Sequence, residues 1–131
     1  MLVPYEEWKK VYLSDIKEKL IESKREYDEY KSTKRVVFLQ QAGNKLFSVV
    51  ENYLMIKYKR RTNNYQELRA LISQNSFDRL LLSKVALLHY FYYENTLRGE
   101  PEEFEDLYLD VYKTMKNRIT VWGYIIKWRR K

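Results

Sequence analysis

The chain has 131 residues, 45% of them hydrophobic, which is enough to build one sizeable core and argues against two, so one domain over residues 1–131 is expected. Cysteine is absent and histidine occurs once, which excludes disulfides, thiolate catalysis and thiolate metal sites and makes a His-based zinc centre improbable; no metal and no cofactor are expected. A formal net charge of +7 favours polyanionic partners, nucleic acid or nucleotides, over basic ones.

Only three glycines and two prolines, Pro4 and Pro101, are available to turn the chain, a scarcity that suits long helices. No apolar run approaches the roughly 18–20 residues that cross a bilayer. The start, MLVPYEEWKK, has acidic residues where a signal peptide would be apolar, so no membrane and a cytoplasmic location are expected. Thirteen tyrosines with abundant Lys and Glu match the composition of proteins from hot environments.

From about Pro4 to Lys31, Tyr5, Trp8, Tyr12, Ile16, Leu20, Tyr27 and Tyr30 recur every three or four residues, with Ser23 as the polar interruption. That spacing predicts an amphipathic helix about 40 Å long, longer than one small domain needs, so part of it is expected to pack on a partner chain. Pro4 suits the first turn, and Glu6 and Glu7 complement the positive helix N-terminus. A second helix is predicted from about Lys34 to Lys59, with Ala42 and Gly43 marking a close approach by another helix. RRTNN ends it. A short third helix, NYQELRALIS, follows with Asn63 or Asn64 as N-cap and Glu67 near capping-box spacing.

The loop SQNS precedes a fourth helix, about Phe77 to Leu97, with Ser76 as its N-cap. It is apolar almost all round from Leu80 to Tyr93, which predicts a central, buried helix, and Arg98-Gly99-Glu100 stop it. Pro101 opens a fifth helix with Glu102 and Glu103 in its first turns and a stripe of Phe104, Leu107, Tyr108, Val111, Met115, Ile119, Trp122 and Ile126. The predicted fold is all-α, an antiparallel up-and-down bundle of four long helices plus one short one.

His89 alone has an unperturbed pKa near neutrality, and Val85 and Tyr93 share its face at helical spacing. Lys45, next to Asn44, and Lys84 lie among apolar residues, where each either aims a cation at an interhelical phosphate or snorkels to solvent. The basic clusters at Lys31–Arg35, Lys57–Arg61 and Lys127–Lys131 read either as a polyanion footprint or as cations complementing helix C-termini. Glu94 is placed to pair with Arg98. Phosphate-binding glycine loops, nucleophile elbows and metal-ligand spacings are absent from the sequence.

The run Ala42-Gly43-Asn44-Lys45-Leu46-Phe47-Ser48-Val49-Val50, then Leu88-His89 and Tyr92-Tyr93-Glu94, then Leu107, Val111 and Met115, resembles the archaeal repetitive HEPN-like family over about two thirds of the chain. That family's central motif is Leu-His-x-Asn-Phe-Tyr-Glu. Leu88, His89, Tyr93 and Glu94 match it, while Phe91 replaces the Asn and Tyr92 the Phe. The resemblance implies a HEPN-like bundle, commonly dimeric, in a superfamily linked to nucleotide binding, toxin ribonucleases and nucleotidyltransferase partners.

The ribonuclease members carry an Arg and then, after four to six intervening residues, the His. Only Lys84 holds a basic residue at such spacing here, Arg79 lies too far upstream, and a lysine point charge does not copy a bidentate guanidinium. The leading expectation is therefore a non-catalytic HEPN-like module, a homodimer binding a nucleotide, RNA or a partner protein such as a nucleotidyltransferase, with Asn44, Lys45, His89 and Tyr93 at the ligand. One alternative is an atypical ribonuclease using His89 as general acid or base, with Lys84 or Arg79 stabilising charge. The other is a purely structural or protein-interaction bundle.

Overall fold

The structure is a computed structural model that describes the backbone of residues 3–93 and 100–129 and the side chains of residues 3–90 and 100–122. Among the described residues the fold is all-helical, with α1 Tyr5–Thr33, α2 Val36–Tyr58, α3 Tyr65–Leu71, α4 Ser76–Tyr93 and α5 Pro101–Arg129, and no strand. The Arg98-Gly99-Glu100 stop and the Glu94–Arg98 pair fall on or across residues 94–99, outside the described residues.

Contacts at both ends of each helix pair set the chain directions. Tyr5 Oη donates to Ile56 O and Ser23 Oγ donates to Ala42 O, so α1 and α2 are antiparallel. Lys57 meets Asp78 while Asn44 meets His89, making α2 and α4 antiparallel, and Lys84–Asp110 with Arg118 over Phe77 does the same for α4 and α5. The four long helices therefore alternate up and down, as the short connections between them demand.

The helix ends follow local chemistry. Asn64 caps α3, its Oδ1 accepting from the Gln66 and Glu67 amides. For α4 the cap is Asn75, whose Oδ1 accepts from Asp78 N, and Ser76 is the first helical residue. That corrects the expected Ser76 cap by one position, because an amide oxygen reaches the third helical amide as well as a hydroxyl does. The α1 and α2 C-caps, Lys34 and Lys59, adopt left-handed backbone with φ of 62° and 55°, a conformation that costs an L-residue about 1–2 kcal/mol and that glycine adopts freely. Lys59→Gly is thus expected to raise stability by about 1 kcal/mol, read as a higher Tm by calorimetry; an unchanged or lower Tm contradicts it.

The central helix is α2, not α4. It packs against each of the other four helices and buries Leu39, Leu46, Val49, Val50, Tyr53 and Leu54 among others. On α4, Phe77, Leu80, Leu87 and Tyr90 are each about half exposed, so its near-continuous apolar run includes side chains that the other described residues cover only in part. Gly43 allows the α2–α4 approach: a Cβ there would lie 3.2 Å from Leu88 Cβ. Buried side chains from every helix form a contiguous core.

Two polar ties run through that core. Ser23, the predicted polar interruption of α1, is fully buried and shares a 2.9 Å hydrogen bond with Tyr108 Oη of α5 while donating to Ala42 O of α2. Asp78, also fully buried, accepts through Oδ2 from Lys57 Nζ at 2.7 Å and from Tyr58 Oη at 2.6 Å. Burial and that bond to a carboxylate push the Tyr58 phenol up to about 12.

Candidate functional site

His89 is half-buried on the α4 face turned toward α2. Asn44 Oδ1 lies 3.0 Å from its Nδ1, and because an amide oxygen only accepts, Nδ1 carries the proton and, in the neutral ring, the lone pair sits on Nε2. Phe47, three residues along α2 from Asn44, stacks on the imidazole at 4.3 Å and 17°. Burial lowers the His89 pKa, which keeps the ring neutral at pH 7. Two of the four sequence-predicted ligand residues, Asn44 and His89, are therefore brought together.

The others are not. Lys45 turns toward α1 and pairs with Glu26 and, at 3.6 Å, with Glu22. Lys84 is paired with Asp110 of α5. At about 100° per residue it points about 140° away from His89 around α4, too far round to serve the same phosphate. Tyr93 is the last helical residue of α4, and its side chain lies outside the described residues. Arg79 precedes His89 by ten residues, roughly 15 Å along the helix. Among the described residues, the imidazole thus has no Lys or Arg charge positioned to share a reacting group with it.

Arg79 instead lines, together with Arg69, a groove of about 730 Å³ between α3 and α4. Tyr65, Ser73, Ser76 and Ser83 also line it, and no carboxylate does. Both arginines are exposed, and neither forms an ion pair with a carboxylate among the described residues. Bidentate guanidiniums beside hydroxyl donors are suited to phosphate oxygens, and the charged side chains that line the groove are both cationic. Tyr65 joins this groove to the His89 site, since its ring stacks on Phe47 at 6.3 Å and 25° while it lines the groove.

Arg69 and Tyr65 were invisible as site residues because they sit on the short α3 with no motif around them; only the tertiary structure brings Arg69 to the groove that Arg79 also lines. Phe47 lay within the run that carried the family resemblance, but its spacing marks it equally as core. Of the basic clusters, Lys31 is used in an ion pair with Glu105 and Lys57 in one with Asp78, whereas Lys59, Arg60 and Arg61 stay exposed beyond the α2 terminus.

No group of three or more His, Asp or Glu side chains among the described residues could hold a metal ion, and no helix among them is long and apolar enough to cross a membrane. Comparison with protein-family models, with curated proteins and with solved structures finds no match.

Proposed function

We propose that this chain is a non-catalytic, HEPN-like helical module that binds RNA by its phosphate backbone. The observation that carries the reading is the α3–α4 groove, where Arg69 and Arg79 stand beside three serine hydroxyls and no carboxylate. The net charge of +7 supports it by drawing a polyanion toward the surface. The HEPN-like part rests on the Leu88-His89 and Tyr93-Glu94 matches together with the up-and-down helical arrangement. A cytoplasmic homodimer is the form this reading assumes, with the half-exposed α4 stripe of Phe77, Leu80, Leu87 and Tyr90 as the face for a second copy or a nucleotidyltransferase partner.

Cleavage is disfavoured because Lys84 is neutralised by Asp110 and Arg79 is displaced along α4 from His89. His89 then orders the α2–α4 contact through Asn44 and Phe47, and Tyr65 passes that order on to the groove wall.

Anisotropy of a labelled single-stranded RNA of mixed sequence, titrated across a salt series, tests the reading. Each phosphate contact contributes about 0.7 to the slope of log K against log salt for single strands, so Arg69→Gln with Arg79→Gln is expected to weaken binding and flatten the slope by about 1.4. A slope and affinity equal to wild type refute the groove. RNA incubated with wild type and with His89→Ala is expected to persist equally; faster decay with wild type refutes the non-catalytic part.

A further inference from the structure

A second cavity of about 510 Å³ lies between α1, α2 and the loop that follows α2, within the size range of small-molecule sites. Its loop wall is held in place: Thr62 Oγ1 accepts from Asn64 N and donates to Glu67 Oε2, and the Thr62 amide reaches Met55 Sδ at 3.2 Å. Arg61 therefore enters the cavity from an ordered segment rather than from a free tail.

The charges in this cavity divide into a set paired within the fold and a set left to solvent. Asp15 is used twice, accepting from Asn52 Nδ2 at 2.9 Å and pairing with Lys19 at 3.1 Å. Glu51 and Arg61 are different. Both line the cavity, they are not paired with each other, and among the described residues neither has a hydrogen-bond or ion-pair partner. Burial raises the Glu51 pKa, and Lys19 offsets this only from beyond ion-pair distance.

The half-buried Glu51 carboxylate takes no donor from the fold and is open to a ligand that supplies one in place of solvent. A simple anion would meet Glu51 and a simple cation would meet Arg61 and Lys19, so the ligand that satisfies both ends carries both signs. We infer that this cavity is a binding site for a small zwitterion of the free amino-acid type, its ammonium on Glu51 and its carboxylate on Arg61. The site shares no lining residue with the α3–α4 groove and stands independently of the RNA reading.

Saturation-transfer NMR with a panel of free L-amino acids, each beside its N-acetyl and its amide derivative, tests the assignment on the full chain. At least one free amino acid is expected to bind, with both single-charge derivatives about tenfold weaker or more. Glu51→Gln is expected to weaken that amino acid about tenfold while the melting temperature holds or rises, because the carboxylate has no partner in the fold to lose. Arg61→Gln is expected to behave alike. Absence of transfer from every free amino acid overturns the proposal, as do derivatives that bind as well as the parent, or Glu51→Gln binding at the wild-type level.

Discussion

Tyr108→Ala is expected to lower the unfolding free energy by about 3–5 kcal/mol, the range for emptying a fully buried aromatic site. The ring is packed between Tyr27 at 4.9 Å and Tyr112 at 5.9 Å, both near parallel, and its hydroxyl meets Ser23 in the interior. Its loss removes apolar area, two ring contacts and one end of the tie that joins α5 to α1 and, through Ala42 O, to α2. Tyr108→Phe keeps the rings and removes only the hydroxyl, so about 1 kcal/mol is expected, Ser23 retaining its bond to Ala42 O. Urea denaturation reads both as a lower midpoint at an unchanged m value. Equal losses for the two variants would show that the hydrogen bond, not the packing, dominates. The phenol's pKa is raised mainly by burial and by neighbouring phenols and Asp28, against a lowering bond from Ser23, which is the same enclosure seen through its ionisation.

Gly43→Leu is expected to cost about 1–3 kcal/mol or more, against a small gain in helix propensity. Even a methyl group at Gly43 meets Leu88 Cβ at 3.2 Å and Leu88 O at 3.6 Å, and the backbone atom has little freedom to retreat. A leucine must therefore push α4 away from α2. The same displacement separates His89 from Asn44 and Phe47, which lie one and four residues from Gly43 on α2. The functional signature is an imidazole whose pKa rises toward its ordinary value as water reaches it, followed by NMR titration of the ring protons. A variant with wild-type stability and an unmoved His89 titration would show that the α2–α4 contact does not depend on glycine. Gly43→Ala separates the two effects, since its methyl requires Leu88 to yield only by a few tenths of an ångström.

The α1 and α5 stripes were legible in the sequence because each meets the core on one side. Ile16, Leu20, Tyr27 and Tyr30 of α1, and Phe104, Tyr108, Val111, Met115 and Ile119 of α5, are buried where the three-to-four spacing put them. Local chemistry was equally readable: Pro101 opens α5, Asn64 caps α3, and Gly43 marks a close approach. The left-handed stops at Lys34 and Lys59 were not, because nothing in a lysine signals that conformation.

Periodicity fails when a helix is apolar all round. By that measure α4 outranks α2, yet α2 is central and α4 keeps one apolar face half exposed, because centrality depends on how many neighbours surround a helix rather than on its own composition. The site divides in the same way. His89 could be singled out from the sequence because it is the one imidazole, and Asn44 and Lys45 through the run around Gly43. Adjacent residues on a helix point about 100° apart, so Asn44 meets His89 while Lys45 turns to Glu26. Residue identity alone thus marked the helices, the close approach and the histidine. The tertiary packing decided which lysines are neutralised, that Arg69 and Arg79 share a groove, and that Glu51 and Arg61 line a second one, because each pairing joins side chains from separate segments.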